Sequence, residues 1–96
     1  MARNRFLVSY DVTDDKRRTR VHRALRDFGD WLQYSLFRCD LSPREITALR
    51  AAVHPLLKHS EDQVLLVDLG PADGEGLERV DAIGRPYVPT ARARIV

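Results

Sequence analysis

Cysteine, methionine and tryptophan each occur once in the 96 residues, and aromatic side chains make up only 7%. The lone Cys39 excludes a disulfide framework and any metal site built on cysteine pairs. No apolar run approaches a membrane span in length, and the N-terminus carries no apolar signal region, so the expected address is a bacterial or archaeal cytoplasm with no membrane partner. The three histidines, His22, His54 and His59, are scattered without the i, i+4 spacing of a helical metal site, and none is assigned a metal. Internal repeats and low-complexity tracts are absent. Neither sign of charge dominates, for the formal net charge is +2.

A chain this short makes one domain and buries only about 60–65% of its unfolded surface, so further cover for apolar area would stabilise it. Apolar residues at 44% and charged residues at 31% are ordinary globular values. The near-neutral total hides an asymmetry. Residues 1–44 hold ten Lys/Arg against six Asp/Glu, and residues 45–96 hold six against eight. The basic half suits a polyanionic partner.

Phe6-Leu7-Val8-Ser9-Tyr10-Asp11 reads as a strand, with Phe6, Val8 and Tyr10 on one face and Leu7, Ser9 and Asp11 on the other. Thr13 or Asp14 can cap the helix that follows, and Asp14 and Asp15 suit its positive N-terminal end. Val21, Ala24, Leu25 and Phe28 form its apolar stripe, with Gly29 at its end. Six Lys/Arg fall between Lys16 and Arg26. An acid at the tip of a buried strand beside a cationic helix suits a divalent metal and a phosphate backbone.

Trp31 to Leu41 is strand-like with no strong internal turn signal, Ser35 being the one candidate break. Ser42-Pro43-Arg44-Glu45 is a capping box with proline at the first helical position, and the stripe Ile46, Leu49, Val53 and Leu56 or Leu57 carries the helix to about Lys58. Val64 to Leu69 is a nearly unbroken apolar run, as in a strand covered on both faces. Leu77 to Ile83 is a candidate short last strand, and residues 85–96 read as an extended tail in which Arg92 and Arg94 are candidate contacts to DNA or protein. Dividing the middle segment yields an α+β fold, the ferredoxin-like βαββαβ arrangement, over residues 1–84. Both helices then cover one sheet face, and the natural cover for the other is a second copy in a symmetric homodimer.

Tyr10-Asp11-Val12, the helix start Asp14-Asp15-Lys16-Arg17-Arg18, the segment Gln33-Tyr34-Ser35-Leu36-Phe37, then Glu61-Asp62-Gln63-Val64 and Ile83-Gly84 resemble the CRISPR-associated protein 2 family. The match runs from about residue 5 to 84. This resemblance implies a ferredoxin-like homodimer whose last short strand adds to the partner's sheet, and a division of the middle segment near Ser35. It further implies a metal-dependent endonuclease acting on single-stranded RNA or double-stranded DNA, and the central dimer of the spacer-acquisition complex formed with the CRISPR-associated protein 1 integrase in antiviral defence. A non-catalytic, DNA-bridging role in that complex is the alternative.

Within that frame Asp11 is the expected catalytic residue and metal ligand. Two copies near a twofold axis would bring two carboxylates together, which repel unless a cation lies between them. Mg²⁺ accepts one or two carboxylates while keeping several waters, so it is the expected cofactor. The competing reading has Asp11 capping the turn into the first helix. Tyr10, Arg17, Arg18 and Arg20 are the expected nucleic-acid contacts, with packing for Tyr10 and a solvated helix face for the arginines as alternatives. Ser35 and Phe37 match the family's Ser-x-Phe, with a hairpin role expected for Ser35 and a dimer-core role for Phe37. Trp31 stands where many relatives carry arginine, which removes one candidate phosphate contact.

Overall fold

In the computed structural model, which describes residues 2–73 and 79–89, strand β1 (Asn4–Asp11) buries Phe6, Val8 and Tyr10 and leaves the intervening side chains on the opposite face. Helix α1 (Asp15–Arg26) follows, then β2 (Asp30–Gln33), β3 (Leu36–Leu41), α2 (Pro43–Val53) and β4 (Gln63–Pro71). The sheet order is β2-β3-β1-β4, and every neighbouring pair is antiparallel. The result is an α+β fold in which two helices cover one face of a four-stranded sheet. Val21 and Leu25 of α1 and Leu49 and Val53 of α2 meet Phe6, Val8, Tyr10, Phe37 and Cys39 of the sheet in a single core.

Asp14 caps α1, its carboxylate accepting from the Arg17 N–H. The helix ends at Arg26, short of the expected Phe28, and Gly29 has a packing role. A β-carbon at Gly29 would fall 2.3 Å from the Cys39 sulfur and 2.4 Å from the Arg38 carbonyl oxygen, so only glycine lets the chain pass this close to β3. Both reciprocal bonds of the capping box at α2 form, Glu45 N–H to Ser42 Oγ at 3.2 Å and Ser42 N–H to Glu45 Oε1 at 2.8 Å. The expected run of α2 to Lys58 is interrupted. Pro55 has no N–H to continue the ladder, and the chain tightens into a 3-10 turn over His54–Leu56.

The middle segment is two strands joined by the two-residue turn Tyr34-Ser35, consistent with the division that the resemblance implied. On the face away from the helices, Leu7 lies opposite Val67, and Ser9 lies between Leu65 and Leu36. Leu65 and Val67 are 50% and 47% exposed in the single chain. The apolar run of β4 is therefore covered on one face by the helices and bare on the other. Of the expected short last strand, Leu77 and Glu78 lie outside the described residues, and its described part, 79–83, forms no strand. A strand needs a ladder partner, and the expected one is the sheet of a second copy. Arg92 and Arg94 also lie outside the described residues. Among those described, no helix is long and apolar enough to cross a membrane.

Candidate nucleic-acid and metal site

The carboxyl end of β1, the start of α1, the β2–β3 turn and the loop leading into β4 meet at one end of the sheet. Asp11 is the last residue of β1, opposite Gln63 in register and exposed. It shares the bare face with Leu7 and Ser9 by strand alternation. Asp14 does the capping, and the Asp11 carboxylate makes no hydrogen bond or ion pair among the described residues. That removes the capping role proposed for it as an alternative.

Just across the strand ends, Asp62 is fully engaged. Its buried carboxylate accepts from Arg17 Nε at 2.8 Å and Nη2 at 3.2 Å, from the Lys58 N–H at 2.8 Å and from the Thr13 N–H at 3.3 Å. The Arg17 fork, opposed by desolvation and aided by the two N–H donors, holds this carboxyl at about 2. Arg17 also reaches Glu61 at 3.2 Å. This residue, expected to touch nucleic acid, is thus the brace between α1 and the loop before β4. Sequence reading passed over the role of Asp62; an acid two positions before the apolar run of β4, with an arginine in the first helix, was the available signal.

Tyr10 is a core residue. Its ring is buried, and its hydroxyl lies 3.0 Å from His22 Nδ1 and 3.4 Å from the Tyr34 carbonyl oxygen. Burial raises the Tyr10 pKa; burial and then nearby Arg26 lower that of His22. His22 stands edge-on to Trp31 and Phe37, with ring centroids 5.2 and 5.1 Å away. Phe37, expected in a dimer core, lies instead in the intramolecular core. It pairs with Val8, so strand alternation points it toward the helices. Ser35 occupies the turn, its carbonyl accepting from the Tyr10 N–H at 3.2 Å. Trp31 donates from Nε1 to the Tyr34 carbonyl at 2.8 Å and so clamps the turn.

Arg18 bonds the Val12 carbonyl at 3.0 Å and pairs with Asp15. Arg20, Arg23 and Arg26 make no ion pair among the described residues. They give a cationic surface to α1, the helix that follows Asp11 after a short loop. Among the described residues no group of three or more His, Cys, Asp or Glu could hold a metal. One chain offers the lone Asp11 carboxylate, which fits the modest ligand demand of Mg²⁺ but not a closed zinc or calcium cage.

The family model described as CRISPR associated protein Cas2 matches residues 4–74, which hold all six elements and this site. The chain belongs to the Cas2 family. It is 36% identical over 91 residues to a protein of Geobacter sulfurreducens named CRISPR-associated endoribonuclease Cas2, covering 95% of each chain. A Rhodospirillum rubrum protein named CRISPR-associated endoribonuclease Cas2 1 is 30% identical over 95 residues, covering 99% of this chain and 92% of its own. Among solved structures, a hypothetical protein from Thermus thermophilus superposes with a TM-score of 0.72 at 28% identity, covering 92% of this chain and 99% of the other. A crystal structure described as cas2 gives the same TM-score at 26% identity, covering 98% and 99%.

Proposed function

We propose that the chain is a CRISPR adaptation protein that works in the cytoplasm as a symmetric, ferredoxin-like homodimer with Mg²⁺-dependent endonuclease activity on single-stranded RNA or double-stranded DNA. The supporting observation is Asp11, an exposed carboxylate without a structural partner beside a cationic helix in a Cas2 family chain whose relatives are named endoribonucleases. The exposed apolar side chains of Leu65 and Val67 on the face away from the helices favour a second copy as its cover, and Asp11 lies at the end of that same face. Two chains would then supply two carboxylates near one axis, the number Mg²⁺ accepts while retaining waters. When bound there, the metal supplies charge neutralisation at the scissile phosphate. The protein residues hold and orient the strand: Arg18 and Arg20 meet phosphate oxygens, and Arg17, bound to Asp62, fixes the position of α1.

The alternative is a non-catalytic, DNA-bridging adaptor for the CRISPR-associated protein 1 integrase. Trp31 in the place of an arginine and the single carboxylate per chain favour it. Cleavage of single-stranded RNA and of double-stranded DNA by wild type and Asp11→Asn, with Mg²⁺ or with chelator, separates the two. Metal-dependent cleavage by the wild type alone supports the nuclease. A folded wild-type dimer that cleaves neither substrate, yet supports spacer integration, overturns it in favour of the adaptor.

A further inference from the structure

Beyond Asp11, the same end of the sheet carries a cleft of about 450 Å³ between α1 and the β2–β3 turn. Tyr10 and His22 line it together with Arg18, Arg23, Arg26 and Tyr34. That volume lies within the range of small-ligand pockets. Arg23 and Arg26 make no ion pair among the described residues, so their donors are available.

Tyr34 is the unusual element. It is 84% exposed, and its φ of 42° lies in the left-handed region that disfavours a bulky side chain. Two side chains hold that conformation through the Tyr34 carbonyl, Trp31 by its indole N–H and Tyr10 by its hydroxyl. Glycine or asparagine would occupy the turn without strain. The tyrosine instead sets a flat aromatic face in solvent at the edge of a cluster of guanidinium groups.

We propose that this cleft binds one nucleotide unit of a single strand, the base stacking on Tyr34 and its phosphate meeting Arg23 and Arg26. A paired base in a duplex has both faces stacked and cannot use the tyrosine, so the site selects single-stranded nucleic acid. The inference rests on the nucleic-acid reading of the preceding section and adds to it a strand preference and a second contact surface.

The test measures binding of a labelled oligothymidine strand, and of a duplex of equal length, by fluorescence anisotropy across a salt series. Tyr34→Asn keeps a residue tolerant of positive φ and removes the ring. It is expected to weaken single-strand binding about tenfold while leaving duplex binding unchanged. Tyr34→Phe, which keeps the stacking face, is expected to stay within about twofold of wild type. The double variant Arg23→Gln/Arg26→Gln, which leaves the turn intact and removes the contact to one phosphate, is expected to lower the single-strand salt slope by about 0.7. The proposal is overturned if Tyr34→Asn binds the single strand as wild type does, if it loses both ligands equally, or if the arginine variant leaves the slope unchanged. Wild type that binds duplex but not single strand overturns the cleft alone and leaves the bridging role standing. Wild type that binds neither overturns the nucleic-acid reading as well.

Discussion

Asp11 and Asp62 stand at adjacent strand ends, the first closing β1 and the second immediately preceding β4, yet their surroundings are opposite. Asp62 is buried under an arginine fork and two backbone N–H groups, which leaves no capacity for a ligand. Asp11 is exposed, and its carboxylate makes no bond among the described residues. An acid that holds the fold together is saturated by it, and one that serves a ligand keeps its lone pairs free. The same contrast separates Arg17, committed to Asp62, from Arg20, which has no such partner among the described residues.

The sharpest way to break this comparison is Asp11→Asn. It is expected to lower metal-dependent cleavage by roughly a hundredfold or more, while a thermal melt stays within about 2 °C of wild type, as for other surface substitutions. An equal loss of stability would make Asp11 structural. Next in size, Val67→Asp sets a charge on the bare sheet face and should weaken the proposed dimer by roughly a hundredfold, read by sedimentation-velocity sizing, with cleavage falling in step. Unchanged cleavage by a monomer would separate Asp11 from any twofold partner.

Asp62→Ala is expected to lower the melting temperature by about 10 °C, since it strands the Arg17 guanidinium and the N–H groups of Thr13 and Lys58. The acid limb of stability carries the same signature. The Asp62 carboxyl is depressed from its ordinary 3.8 to about 2, so its contribution is fully present above 3.8 and is lost as pH falls toward about 2. Asp62→Asn should flatten chemical-denaturation stability in that window, and a slope equal to wild type would refute the assignment. Smallest is Arg20→Ala, expected to leave the melt unchanged and to lower the duplex salt slope by about 0.9. Arg17→Ala should show the reverse, a lower melting temperature that precedes any effect on binding.

Much of this was legible in one dimension. The period-two alternation of β1, the helical stripe of α1 and the capping box of α2 each depend on residues within a few positions of one another, and each forms as read, save that Phe28 falls beyond the end of α1. The division of Trp31 to Leu41 was not legible from the residues, because Tyr34-Ser35 has neither glycine, asparagine nor proline to mark a turn. That turn is held by Trp31 and by Tyr10, the latter 24 positions away. Pro55 inside the expected helix was a local signal and it does shorten α2. Gly29 looked like a helix end and is a close-approach glycine, a fact that only Cys39 and the Arg38 carbonyl reveal.

The candidate site divides the same way. Sequence alone placed an acid at the tip of a buried strand and a row of cations on the next helix, since strand and helix periodicity are local properties. It left open whether Asp11 caps a turn, whether Tyr10 packs in the core and which arginine is committed, and it placed Phe37 in a dimer core where the structure has it in the chain's own. Those answers rest on which groups the sheet brings within hydrogen-bond range. Asp62 lies 45 positions from Arg17 yet receives its guanidinium at 2.8 Å. Local spacing can specify an element and its faces; only packing between distant elements decides which polar groups are consumed by the fold and which remain free to act.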